Sequence, residues 1–152
     1  MGSYLNPGNE LFFTAVNSEI YVDKSNLIRY TNRVIRTMQK YVCVSRPRRF
    51  GKSITACMLA AYYGRGCDSR ELFANLAICG DAHFEEHLNQ YNVIFLNVQY
   101  FLSQTYSMDD MLSLIRQPIL LALLDHYPHF RYFNSKNLIR TLQYVYKITT
   151  LH

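Results

Sequence analysis

The sequence predicts an α/β protein in which helices flank a parallel sheet in three layers. Residues 41–44 and 92–98 form short apolar runs with the β-branched and aromatic content of buried strands. Helical patterns lie before, between and after these runs, and such alternation is typical of parallel sheets. The chain has 152 residues, 49% of them hydrophobic, which suits one domain with a single core.

The first predicted helix begins at Asp23 or Ser25, either of which can cap it, and runs to about residue 40. One side of this helix is apolar, with Leu27, Tyr30, Val34 and Met38. A second stripe is basic and has the composition of a solvated face, with Arg29, Arg33, Arg36 and Lys40.

The run over 41–44 leads through Pro47 into a loop, and a helix is predicted from Lys52 to about Tyr63, ended by Gly64. Short helical stretches follow near residues 71 and 84–90. Two longer helices are predicted over residues 108–127, with Pro118 as a kink or a new first turn, and over residues 135–147.

Charge and cysteine content narrow the class of protein. The chain carries 16 Lys and Arg against 11 Asp and Glu, a net charge of +5, which favours polyanionic partners such as nucleotides or nucleic acid. The 4 cysteines lack the spacing of a disulfide framework, so we expect reduced, mostly buried thiols. No apolar run approaches the ~20 residues of a spanning helix. We therefore expect a cytoplasmic protein with no membrane partner.

The tripeptide Gly51-Lys52-Ser53, between a predicted strand and a predicted helix, has the composition of a phosphate-binding loop. Such a loop combines backbone N–H groups, a lysine and a hydroxyl at a helix start. We expect Lys52 to reach the β- and γ-phosphates of ATP and Ser53 to ligate Mg²⁺. Gly51 permits close backbone approach. The full signature has glycine where this chain has Arg46.

The order of several short motifs resembles the predicted AAA-ATPase-like family of bacteria, a group of P-loop NTPases. The motifs are Tyr21-Val22-Asp23-Lys24-Ser25, the octapeptide RPRRFGKS that begins at Arg46, Leu72-Phe73, and the run over 93–98. The resemblance accounts for Arg46, since that family also has arginine there. It implies ATP and Mg²⁺ as cofactors and a nuclease-like C-terminal region in longer proteins. The implied nucleotide-binding residues are Arg46, Pro47, Arg48, Arg49, Phe50, Gly51, Lys52, Ser53 and Ile54.

The resemblance also implies later strands, one of which carries the Walker B carboxylates, and this sequence has no such strand before its last residue. We therefore expect the N-terminal portion of a P-loop domain, with a lead-in over residues 1–23 and the start of the α/β core over residues 24–152. We also expect this portion alone to be poorly soluble and inactive in ATP hydrolysis.

Two other functions remain open on the residues alone. The pentapeptide from His83 to His87 fits the inverted zinc motif H-x-x-E-H, with Cys79 one turn earlier. A further ligand would then come from Asp109, Asp110 or Asp125. The second alternative is a non-enzymatic module that binds nucleic acid or a protein through Arg29, Arg33, Arg36, Arg48 and Arg49.

Overall fold

The computed structural model describes residues 4–128 and 137–149. They fall into two compact units. The first unit comprises residues 6–93. Its helices are α1 (Glu10–Val16), α2 (Asn26–Val34), α3 (Lys52–Tyr63), α4 (Arg70–Phe73), a 3-10 helix (Ala77–Gly80) and α5 (Phe84–His87).

The second unit comprises residues 4–5 and the described residues after 93. Its helices are α6 (Val98–Leu102), α7 (Met108–His126) and α8 (Leu138–Thr149).

The predicted three-layer parallel sheet is wrong. Within residues 4–128 and 137–149 the backbone forms only two isolated β-bridges, Leu5 with Ile94 and Gly64 with Tyr91, and no strand. Residues 41–44 have no regular secondary structure and are exposed despite their apolar composition. A strand exists only where a second segment pairs with its backbone, and composition reports propensity but not pairing.

An aromatic cluster forms the core of the first unit. The rings of Phe12 and Phe73 stack with centroids 5.1 Å apart, and Tyr62 meets Phe73 edge-on at 5.5 Å. The Tyr62 hydroxyl donates to the carbonyl of Phe84 at 2.6 Å. Burial raises the pKa of Tyr62 and of Tyr63 to about 12. Both hydroxyls therefore stay protonated at neutral pH and remain available as donors.

Helix α2 ends at Val34, earlier than predicted, and its buried residues are Ile28 and Val34. The predicted apolar stripe is only partly correct, because Tyr30 is 43% and Met38 is 92% exposed. Composition could not show where α2 ends, and residues past the end do not extend its apolar face.

Helix α7 continues through Pro118, so this proline neither ends the helix nor begins a new one. The predicted start of the last helix, at residue 135, lies outside the described residues. The buried core of the second unit consists of Leu5, Ile119, Leu123 and Val145.

None of the described helices is long and apolar enough to cross a bilayer. All four cysteines are free; Cys57 and Cys67 are half-buried and Cys43 and Cys79 are exposed, so the predicted burial of most of the thiols is wrong.

Side-chain hydrogen bonds hold residues 23–25 against the 3-10 helix. The Asp23 carboxylate accepts from the backbone N–H of Ala77 at 2.8 Å and from that of Ser25 at 2.7 Å. The hydroxyl oxygen of the fully buried Ser25 accepts from the N–H of Ile78 at 3.1 Å. Partial burial raises the pKa of Asp23, but the two backbone N–H donors outweigh burial, and the net shift is downward. The ionised carboxylate is therefore the form that anchors the segment.

We predict that Asp23→Asn lowers the free energy of unfolding near neutral pH, by an amount that shrinks in acid. A carboxyl whose folded pKa is lowered stabilises the fold above its unfolded pKa of about 3.9. That contribution is lost as the pH falls through the folded pKa. Urea unfolding of both proteins, repeated stepwise from pH 7 into acid, measures the difference. Glu19→Gln, which removes an exposed carboxylate, is the charge-matched control. A difference that does not change with pH would contradict the assigned anchor.

Candidate functional site

Helix α3 presents the loop over residues 46–51 because its two halves lie in different surroundings. Its C-terminal half is embedded in the core, with Met58, Ala61 and Tyr62 at 1% exposure or less. Its first three residues, Lys52 to Ile54, are exposed. The buried half fixes the helix axis, so the N-terminus and the loop before it project from the unit in a set direction.

The loop enters α3 through left-handed backbone. Gly51, the residue before the helix, has φ +74°, and Arg49 has φ +69°. A non-glycine residue in this region is unfavourable, so the conformation of Arg49 is a local strain that the surrounding structure sustains. Within the described part of the chain, no side chain caps α3. Its first N–H groups, which have no partners within the helix, together with the positive end of its dipole suit an anion.

The Lys52 side chain folds back across the loop. Its ammonium donates to the carbonyl of Arg46 at 2.5 Å and to that of Pro47 at 2.8 Å. The structure therefore places the lysine cation against the first two residues of the loop, whereas the N–H groups expected to hold phosphate are those from about Arg49 to Ile54.

Lys24, for which the sequence analysis proposed no role, also contacts this loop. Its ammonium donates to the carbonyl of Phe50. A Cβ atom at Gly51 would lie 2.7 Å from the Lys24 Nζ, which shows how closely the lysine approaches. Asp23 and Ser25 fix the backbone on both sides of Lys24. No local pattern of residues indicated this role for Lys24, because the contact joins residues 26 apart in the chain.

Three arginines of the loop, Arg46, Arg48 and Arg49, are exposed and pair with no carboxylate among the described residues. By contrast, Arg29 contacts Asp81 at 2.7 Å. The loop thus concentrates uncompensated positive charge near the start of α3, which attracts polyanions. The remaining predicted site residues are also placed here: Pro47 supplies a carbonyl, and Phe50 and Ile54 are 59% and 45% exposed.

The hydroxyl of Ser53, in the first turn of α3, makes no hydrogen bond to any described residue. The other hydroxyl nearby, on Thr55, donates to the carbonyl of Gly51 at 2.9 Å. Mg²⁺ prefers oxygen ligands and usually keeps several waters and phosphate oxygens. The exposed Ser53 hydroxyl is compatible with one position of such a shell, whereas among the described residues no three His, Cys, Asp or Glu side chains are grouped to hold a metal alone.

The inverted zinc motif consists of His83, which precedes α5, and the four residues of that helix, and both of its histidines contact other groups. The Nδ1 of His83 lies 3.2 Å from a Glu86 oxygen. The buried His87 has its Nδ1 2.6 Å from the Tyr91 hydroxyl, and burial lowers its pKa. In the described part of the chain, neither Cys79 nor Asp109, Asp110 or Asp125 joins them in a metal-binding group.

The five arginines that the sequence offered as a surface for nucleic acid or a protein do not act together in the structure either. Arg29 and Arg36 are paired with Asp81 and Glu86 respectively, and Arg33 lies over the Tyr30 ring at 6.0 Å. Pairing with carboxylates neutralises the positive field that a nucleic-acid surface needs. Arg48 and Arg49 belong to the loop before α3.

We predict that Gly51→Ala destabilises the protein by about 1–2 kcal/mol, because alanine is strained at positive φ. The added Cβ also crowds the Lys24 ammonium. Gly80→Ala is the matched control, since its Cβ meets nothing within 4 Å and its φ lies outside the left-handed region. We expect that variant to be neutral or slightly stabilised. Urea unfolding measures both, and equal stabilities would contradict the left-handed entry to α3.

The family comparison covers most of the chain. A family model described as predicted AAA-ATPase matches residues 13–149. No curated protein and no solved structure gives a match. The matched region includes both the anchored segment over 23–25 and the loop over 46–51. The chain belongs to the predicted AAA-ATPase family.

Proposed function

We propose that this chain binds Mg-ATP through residues 46–54, with the phosphates at the start of α3. The observation that supports this most directly is the placement of the Lys52 ammonium on the carbonyls of Arg46 and Pro47, within the loop that leads to an uncapped helix N-terminus. A cation, free N–H groups and a favourable dipole meet there, and together they match the chemistry of a triphosphate.

Binding would redistribute the contacts of Lys52. An ammonium bonded to neutral carbonyls can exchange them for phosphate oxygens, and hydrogen bonds between charged partners are shorter and stronger. Arg46, Arg48 and Arg49 add positive charge without a carboxylate among the described residues to compete for it. The Ser53 hydroxyl completes the proposal as a Mg²⁺ ligand, alongside phosphate oxygens and water.

Family membership supports an ATPase-like domain. Hydrolysis, however, requires a carboxylate or equivalent group to position the attacking water, and residues 46–54 contain none. The function proposed for this site is therefore nucleotide binding. Nucleic acid and a nuclease-like region have no support in the described structure and form no part of the proposal.

We predict that Lys52→Ala weakens ATP binding by about 10- to 100-fold, the equivalent of one lost hydrogen bond between charged groups. The loss for AMP is expected to be smaller, because the lysine is assigned to the β- and γ-phosphates. Isothermal titration calorimetry measures both affinities. Lys40→Ala, which removes an equal charge outside residues 46–54, is the control and is expected to bind ATP like the wild type. Unchanged ATP affinity in Lys52→Ala would refute the assignment.

We predict that Ser53→Ala weakens Mg-ATP binding more than the binding of metal-free ATP, since only the former uses the hydroxyl. Ser53→Thr retains the ligand atom and is expected to behave like the wild type. Titrations in Mg²⁺ and in EDTA separate the two forms. The same metal dependence in all three proteins would show that Ser53 only begins the helix.

A further inference from the structure

A cavity of about 390 Å³ adjoins the loop on the side of the segment over residues 20–24. Ala15 and Ser18 line it from α1 and its end, and Ile54, Thr55 and Met58 line it from α3. Its volume falls within the range of about 300–1,000 Å³ that is usual for small-molecule sites. Neither Lys52 nor Ser53, the residues assigned to phosphate and Mg²⁺, lines this cavity.

The walls of the cavity are apolar and unusually exposed for such side chains. Ile20 is 85%, Val22 is 67% and Phe50 is 59% exposed. Tyr21 adds a second aromatic ring. Apolar side chains that line a cavity and remain exposed to water favour a ligand whose contacting surface is flat or apolar. Nucleobases have this character, and each of the bases can stack on an aromatic side chain.

The cavity and the phosphate loop share residues. Arg49, Phe50 and Gly51 line the cavity and also form the last part of the loop before α3. A ligand whose phosphates lie at the start of α3 therefore has its remaining atoms next to this cavity. A nucleotide is the ligand class that is anionic at one end and carries a planar ring at the other.

The cavity walls are held in place without a ligand. Lys24 joins the segment over 20–24 to the Phe50 carbonyl, and Asp23 attaches the same segment to the 3-10 helix. The Tyr21 ring packs edge-on against Phe12 of the core, with centroids 6.1 Å apart. A site that is formed in advance loses less conformational entropy on binding.

We propose that this cavity binds the nucleoside part of the nucleotide, with the base between the segment over 20–22 and Phe50. This assignment rests on the proposed function, because the phosphates must lie at residues 46–54 for the base to reach the cavity. It adds Ser18, Ile20, Tyr21 and Val22 to the binding site, none of which belongs to the phosphate loop.

The test compares ATP with inorganic tripolyphosphate, which has the phosphates but no nucleoside. Two variants of the full chain change exposed cavity residues, so neither is expected to disturb folding: Ile20→Ser removes part of the apolar wall, and Ser18→Trp fills the space. We expect each to weaken ATP binding on the order of tenfold and to leave tripolyphosphate binding unchanged. Leu11→Ser and Thr14→Trp, at exposed α1 positions outside the cavity lining, are the matched controls.

Calorimetric titrations give outcomes that separate this inference from the proposed function. If both cavity variants bind ATP like the wild type, or lose affinity equally for ATP and tripolyphosphate, the cavity assignment is overturned while phosphate binding stands. If the wild type binds neither compound, the phosphate site fails and the cavity assignment fails with it. Selective loss of ATP affinity in both cavity variants, with normal behaviour in both controls, supports the nucleoside site.

Discussion

The burial of one half of helix α3 is the constraint on which the rest of the site depends. Met58 and Tyr62 are held among aromatic rings, and the Tyr62 hydroxyl is bonded to the carbonyl of Phe84. Fully burying such side chains stabilises a domain by several kcal/mol in total. A helix held this firmly at one end presents its other end in a defined position, and that end carries Lys52 and Ser53.

A second attachment brings a distant part of the chain to the same place. The segment over 20–25 is tied to the 3-10 helix by Asp23 and Ser25, and Lys24 then reaches the loop carbonyl of Phe50. The core holds α3, and the segment is held by the 3-10 helix and by the packing of Tyr21 on Phe12. This explains how apolar side chains such as Ile20 stay exposed around an open space instead of collapsing into it.

The glycines at its two ends made helix α3 predictable. Gly51 supports the left-handed entry to α3 and Gly64 follows its last residue, so the predicted bounds at Lys52 and Tyr63 are confirmed. The sheet prediction failed because pairing between strands is not local. The run over 41–44 has strand composition, but its side chains are exposed and no described segment pairs with it along its length. The same limit applies to α2, where Met38 fits a helical stripe but lies beyond the helix end.

The sequence by itself determined the family and the bounds of helix α3, because these depend on the order of neighbouring residues. The tertiary structure alone decided which charges are neutralised, as in the pairing of Arg29 with Asp81, and which have no carboxylate partner among the described residues, as at Arg48. It also decided that Lys24 contacts a loop 26 residues away in the chain. Such contacts join segments that are distant in the sequence. Burial and backbone pairing bring these segments together, and the local pattern of residues does not predict either.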